Sequence, residues 1–213
     1  MGSQGFGVDV GGSGIKGCPV DLETGTLIGK RLRIATPEPS TPDAVAEVVA
    51  RIVEHFGWTE RTGVTIPCVV KSGTACTAAN VDPSWIGTDA VGVLGAAVGR
   101  PVLVLNDADA AGLAEMRYGA GRDAEDIAAA SVKEEQDLSW PEWTPQVSRY
   151  LRMLENLVWP DLIIVGGGVS KQADRWLPLL DNRTPVVAAQ LRNAAGIVGA
   201  ALAAADAPGV SEQ

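Results

Sequence analysis

Three stretches of this sequence hold residues whose types and spacing suit phosphoryl chemistry. The first is Asp9-Val10-Gly11-Gly12-Ser13-Gly14-Ile15-Lys16. A glycine-rich turn lets backbone N–H groups approach a phosphate without side-chain obstruction. Ser13 adds a hydroxyl donor, Lys16 a positive charge, and Asp9 a carboxylate suited to a metal ion or its water shell. A plain hairpin turn needs one glycine rather than three preceded by a carboxylate. The pattern is neither a P-loop nor a dinucleotide fingerprint, since the Gly-Lys-Ser/Thr ending is absent and a strand, not a helix, follows.

The second stretch is Leu105-Asn106-Asp107-Ala108-Asp109-Ala110-Ala111. An apolar strand ending in a carboxylate and small residues opens onto a cleft at its C-terminal edge. A general base that takes a proton from an attacking hydroxyl belongs there. Asp107 is the candidate, with Asn106 beside it as a ligand for sugar hydroxyls. Helix capping is the competing role for Asp107, and Asp109 fits capping or first-turn placement better. The third stretch is Ile164-Val165-Gly166-Gly167-Gly168-Val169-Ser170. Three glycines after a buried strand admit a nucleotide or phosphate chain against the backbone, although a tight strand-to-helix turn would use them too.

These residues need elements to hold them. Phe6–Val10, Gly17–Asp21 and Leu27–Ile34 read as a three-stranded meander with a turn at Glu23–Thr26. Thr41 as N-cap, Pro42 at the first helical position and Gly57 as terminator frame a helix whose apolar stripe is Val45, Val48, Val49, Ile52, Val53 and Phe56. The single histidine, His55, lies in its last turn and suits the helix dipole. Gly63–Val70, interrupted by Pro67, and Val102–Leu105 read as strands, and an alanine-rich helix runs from there to about Tyr118. Trp143–Trp159 reads as a long amphipathic helix with Val147, Leu151, Leu154 and Val158 inward. Leu162–Val165 and Pro185–Ala189 read as strands, with helices at about Lys171–Leu180 and Asn193–Ala205. The alternation predicts an α/β architecture.

Bulk properties narrow the function. The 213 residues are 46% hydrophobic and 20% charged, an ordinary globular composition. No run of 18 apolar residues and no secretory n- or h-region occurs, which predicts neither a membrane partner nor export. A formal charge of −9 argues against nucleic acid as a partner and requires any polyanion to bind on a local basic patch. Cys18, Cys68 and Cys76 form no C-x-x-C pair, so free thiols in a cytoplasmic setting are expected.

The three glycine and carboxylate stretches occur in an order that resembles the ROK family of sugar kinases, of the actin-like ATPase superfamily, and specifically its polyphosphate glucokinase branch. The matching segments are Phe6–Gly17, Thr77–Gly87, Asn106–Gly121 and Asp161–Ser170, with Asn182–Pro185 and Asn193–Ala200 trailing. The resemblance implies a two-lobed actin-like (ribonuclease H-like) α/β fold with an incomplete second lobe. The lobes would be 1–105 and 106–192, with 193–213 forming a helix packed back on the first lobe plus a tail. It implies phosphoryl transfer from polyphosphate or ATP to the 6-hydroxyl of glucose with Mg²⁺ and without zinc, in the cleft between lobes. Asp107 would be the base. Asn80, Asn106, Asp107 and Glu125 would line the sugar pocket. Asp9, Gly11, Gly12, Ser13, Gly14, Lys16, Gly166, Gly167 and Gly168 would face the phosphoryl donor. Lys133 lies in a segment near the donor channel of such enzymes, and a solvated connector is its competing role. The family is commonly dimeric, so a homodimer is among the assemblies allowed.

The chain departs from the family after Arg122. A strand, a second phosphate loop, a hairpin and a Glu-Leu-Gly-His sugar segment are missing, on the order of forty residues. Asp123–Asp126 reads as the helix beyond the gap, and Cys68 stands where the family has glycine. The second lobe is expected to keep only two sheet strands, with bare faces and an unpaired edge. A catalytically impaired or inactive remnant is therefore the alternative to an active kinase. A ROK transcriptional repressor is not expected, because only Met1–Gly5 precede the first strand.

Overall fold

The computed structural model describes residues 3–120, 127–131, 139–166, 168–191 and 194–207. Its contacts divide the chain into two units. Unit 1 is Met1–Ala114 with Ala194–Gln213, and unit 2 is Glu115–Asn193.

Unit 1 opens with strands β1 (Gln4–Gly11), β2 (Gly14–Asp21), β3 (Thr26–Leu27) and β4 (Leu32–Ile34), then helix α1 (Pro42–His55). Strand β5 (Thr62–Ile66), the small hairpin β6 (Val70–Lys71) and β7 (Thr74–Ala75), helix α2 (Ala90–Val98) and strand β8 (Val102–Asn106) follow. Helix α3 (Asp107–Tyr118) leaves β8 directly, and the boundary between the units falls inside it. The main sheet has the order β3-β2-β1-β5-β8, with β4 also on β2. The meander is antiparallel, while β1, β5 and β8 are parallel. Pro67 carries no N–H to continue a ladder, and β5 ends just before it.

One face of this sheet is covered by α1 and α2. Phe6, Val8, Val10, Ile15, Val64, Ile66, Val102 and Val104 meet Val45, Val49, Ile52 and Leu94 in one buried core. Thr41 caps α1, its Oγ1 accepting from the Ala44 N–H at 3.4 Å, and His55 lies in the last turn. Helix α6 (Ala195–Asp206) covers the other face. It approaches so closely that a Cβ at Gly7 would overlap the Ile197 carbonyl, and one at Gly63 the Ala200 carbonyl. Two glycines paired across β1 and β5 thus let helix backbone lie directly on sheet backbone.

Unit 2 contains strand β9 (Ile127–Ser131), helix α4 (Trp140–Val158), strand β10 (Leu162–Gly166), the short helix α5 (Ala173–Trp176) and strand β11 (Val186–Ala188). They form a three-stranded parallel sheet, β11-β10-β9. The two-strand expectation is therefore corrected: β9 pairs along all of β10, just beyond the Arg122–Asp126 junction. Asp123–Asp126 itself lies outside the described residues. The long helix begins at Trp140, earlier than expected, because Glu142 reaches back to accept from the Ser139 N–H at 3.1 Å. Val147, Leu151, Ile163, Val165, Val169 and Trp176 form the core, with Leu154 packed against it. Val158 is exposed rather than inward, as the last residue of α4. The helix expected at Lys171–Leu180 is instead a 3₁₀ turn at Gly168–Gln172, α5, and another 3₁₀ turn at Leu177–Leu179. Pro178 cannot donate to a continuing helix, and so short an apolar run tightens into three-residue turns.

Candidate active site

The site grows from the C-terminal edge of three parallel strands. Asp9 on β1 is in register with Thr65 on β5, which is in register with Leu105 on β8. Asn106 and Asp107 follow at once. Two interstrand spacings, about 10 Å, thus separate the backbone of Asp9 from that of β8. This edge is where open parallel sheets present ligand-binding groups.

Asp9 is held on both oxygens. Lys16 Nζ stands 3.1 Å from Oδ2, and Thr65 Oγ1 donates to Oδ1 at 3.0 Å. The first turn of α6 closes from behind, where a Cβ at Gly196 would stand 3.0 Å from the Asp9 carboxyl carbon. A carboxylate at a helix N-terminus is favoured by the helix dipole. Neither Thr65 nor Gly196 stands out in the sequence: Thr65 is one polar residue in a buried strand, and Gly196 lies in an alanine-rich helix.

The turn between β1 and β2 is a two-residue hairpin. Gly11 pairs with Gly14, leaving Gly12 and Ser13 exposed at the tip. None of these glycines has a positive φ, so the turn does not need them for backbone conformation. Close approach is what the turn asks of them, and a Cβ at Gly11 would stand 3.2 Å from the Gly14 carbonyl. A Cβ at Gly12 would stand 3.1 Å from Asn80 Cβ, and one at Gly14 would strike the Arg33 guanidinium 2.6 Å away. Arg33 Nη2 donates to the Ser13 carbonyl at 2.6 Å, and Thr36 Oγ1 donates to the Gly11 carbonyl. Asn80 itself adopts φ +59°, a left-handed conformation that asparagine tolerates.

Asp107 opens α3. Burial first, and then the charge of Asp9, push its carboxyl above the ordinary value of 3.8, against the lowering effect of the Ala108 N–H. That N–H donates to Asp107 Oδ1 at 2.9 Å. Of the two roles open to Asp109, it takes first-turn placement, and capping falls to Asn106. Asn106 Oδ1 accepts from the Ala108 N–H at 2.9 Å and the Asp109 N–H at 3.3 Å. Asn106 sits one residue before the helix, where a short side chain reaches those donors, while Asp109 is exposed in the first turn. Asn106 Nδ2 donates to the Cys68 carbonyl at 2.9 Å, tying β8 to the segment after Pro67. Cys68 is buried, and burial together with the nearby Asp107 charge pushes its thiol up to about 11. It is an inert thiol. Cys18 and Cys76 are free as well.

Asp9, Gly11, Gly12, Ser13, Gly14, Lys16, Asn80, Asn106 and Asp107 all belong to unit 1. Gly166 and Gly168 belong to unit 2, Gly166 closing β10 and Gly168 opening the 3₁₀ turn after it. Glu125, Lys133 and Gly167 lie outside the described residues. Among the described residues no three His, Cys, Asp or Glu side chains gather as a metal cluster.

The ROK family model matches residues 5–134. A polyphosphate glucokinase of Mycobacterium tuberculosis (strain CDC 1551 / Oshkosh) is 51% identical over 240 residues, covering 94% of this chain and 91% of its own. Its counterpart in Mycobacterium leprae (strain TN) is 48% identical over 240 residues, with 94% and 74% covered. Since 94% of 213 residues is about 200, about forty of the 240 aligned positions are occupied only in the relatives. Among solved structures, the inorganic polyphosphate/ATP-glucomannokinase of Arthrobacter sp. strain KM superposes with a TM-score of 0.88 at 41% identity, covering 95% of this chain and 98% of that one. A ROK family glucokinase of Streptomyces griseus shares the fold, with a TM-score of 0.77 at 22% identity and coverage of 96% and 100%.

Proposed function

The chain belongs to the ROK family, and we propose that it is a sugar kinase transferring a phosphoryl group from polyphosphate or ATP to the 6-hydroxyl of glucose. The observation that carries this reading is a partly buried carboxylate of raised pKa, Asp107, two strands from a glycine hairpin that is flanked by a carboxylate and a lysine. The polyphosphate glucokinase relatives and the polyphosphate/ATP-glucomannokinase supply the substrate class.

Phosphoryl transfer asks the protein mainly for positioning and charge stabilisation. The exposed tip at Gly12 and Ser13 would receive the terminal phosphoryl group, with Lys16 close behind it. Asp107 would accept the proton of the sugar hydroxyl, and its raised pKa brings it closer to the working pH of a base. Asn80 and Asn106 would orient the sugar, Asn106 with the one amide hydrogen its bond to Cys68 leaves over. Burial first, and the Asp9 charge after it, raise the Asp107 pKa, and two carboxylates on one sheet edge fit a divalent cation between donor and protein, which Asp9 would hold directly or through its water. Mg²⁺, when bound there, would neutralise charge on the phosphates. A cytoplasmic setting accords with three free cysteines.

An inactive remnant is the less favoured alternative, because the relatives that the chain matches over 94% of its length are polyphosphate glucokinases and the candidate base and glycine hairpin both lie in unit 1. The test is a coupled glucose-6-phosphate assay on the purified chain, with long-chain polyphosphate and ATP as separate donors. Turnover with at least one donor is expected. No turnover with either, above an Asp107→Asn control, would sink the kinase reading.

A further inference from the structure

The chain holds 26 acidic residues against 17 basic, yet no acidic side chain occurs between Glu23 and Glu38, where Lys30, Arg31 and Arg33 stand. The β2–β4 ladder brings this stretch to the glycine hairpin, pairing Lys16 with Arg33 and Ile15 with Ile34. Like charges directly opposite one another destabilise an antiparallel pair. Here the cost is relieved on one side only: Lys16 is neutralised by Asp9, whereas the exposed Arg33 turns its guanidinium over Gly14 and onto the Ser13 carbonyl. That bond uses one of the five N–H donors of the guanidinium. Arg31 lies two residues back along the strand direction, about 7 Å from Arg33. It is near enough to Cys18 for its charge to be felt there. Lys30 is exposed beside Gly29, around which the space is open.

The result is a short row of cations that starts at the tip of the phosphate hairpin and leads away along the edge of the sheet. We propose that Arg33, Arg31 and Lys30 bind the phosphate chain of the polyphosphate donor beyond the terminal group presented to Gly11–Gly14. This rests on the kinase reading for the identity of the donor. A bare phosphate chain offers no base or ring to recognise, so a row of cations is the recognition it admits, and guanidinium groups match phosphate oxygens in pairs. ATP, whose phosphates end after three in a nucleoside, would engage the first cation of the row and not the last. The site thus discriminates donors by length, in a chain whose net charge otherwise repels them.

The experiment is calorimetric titration of the full chain with long-chain polyphosphate, tripolyphosphate and ATP. It compares wild type with K30Q/R31Q and with the charge-preserving K30R/R31K. Loss of the exposed Lys30 charge and the half-buried Arg31 charge is expected to weaken long-chain polyphosphate by about tenfold or more. That loss should clearly exceed the loss for tripolyphosphate and ATP, K30R/R31K should keep wild-type affinity, and added salt should shrink the difference. Equal losses for all three ligands, no loss for polyphosphate, or no polyphosphate binding by wild type would overturn the proposal. So would displacement of polyphosphate by an oligoribonucleotide of equal charge at equal concentration. If polyphosphate binds through this edge but yields no glucose 6-phosphate, the donor assignment falls and the binding edge stands. If it yields product while K30Q/R31Q binds it undiminished, the edge falls and the kinase reading stands.

Discussion

Unit 1 and unit 2 solve the same problem, helices covering a sheet with parallel strands, with different tolerances. In unit 1 the sheet is covered on both faces, and α6 touches it backbone to backbone through Gly7 and Gly63. In unit 2 the sheet has three strands, and α4 leaves Tyr150, Met153 and Leu157 exposed at helical spacing, with Trp159 exposed beyond them. A Cβ at Gly166, the last residue of β10, would meet nothing nearer than Ala189 at 3.9 Å, an ordinary contact. The difference teaches where the chemistry can be held to tight limits. The base candidate and the glycine hairpin are mounted on the unit with no slack. The sequence resemblance puts the gap of about forty positions after Arg122, in the unit that has some.

The sharpest way to break this comparison is Asp107→Asn. If unit 1 carries the chemistry, the substitution should lower kcat by roughly 10²- to 10⁴-fold with either donor, the usual weight of a general base. A rate left unchanged removes Asp107 from that role. Next in size is a paired glycine test. Gly63→Ala drives a methyl group into the Ala200 carbonyl and is expected to cost about 3 kcal/mol or more, read by denaturant unfolding. Gly166→Ala should leave stability nearly unchanged, and equal costs at the two positions would erase the contrast.

The smallest effects concern two carboxylates whose shifts have opposite signs. Glu155 in unit 2 is buried. Burial alone would raise its pKa, but the Thr184 N–H and hydroxyl, the Asn182 amide and the Arg183 N–H together hold it below the ordinary 4.5. Its contribution to stability is present above that ordinary value and lost as the pH falls through the depressed one. Glu155→Ala, which strands the Thr184 N–H and the Asn182 amide, is expected to cost about 1–3 kcal/mol at neutral pH and less in acid. Asp107 is raised, so its contribution is present below the ordinary 3.8 and lost as the pH rises through the folded value. Asp107→Asn should therefore raise stability at neutral pH while lowering turnover. Matching signs in the two pH profiles would contradict the environments described.

The site was legible where its signal is local. Asp9, the glycine hairpin, Asn106 and Asp107 announce themselves by a carboxylate or amide at the end of an apolar strand beside small residues, and all of them gather in unit 1. What stayed hidden depends on residues distant in sequence. Thr65 buttresses Asp9 only because β5 lies beside β1 in register, and Gly196 reaches it only because α6 returns to the first sheet. Arg33 looked like one cation in a strand until the β2–β4 ladder set it over Gly14. The fold showed the same division. Caps and breakers fixed α1, but the strand read to Val70 ends at Ile66, before Pro67, and Ile127–Ser131, an alanine-rich run fit for helix or strand, was decided by pairing along β10. Helix α2, rich in glycine and alanine, has no stripe to read.

The return of α6 to Asp9 also has a temporal side. A polypeptide leaving the ribosome displays the glycine hairpin at residues 11–14 early, but the turn that closes behind Asp9 is not made until about residue 196 has been translated. During that interval the glycine-lined back of β1 and β5 has nothing to lie against, while the whole of unit 2 is synthesised. Assembly of the candidate site's edge is therefore a late, long-range event, of the kind that folds slowly and leaves an apolar surface open to chaperones.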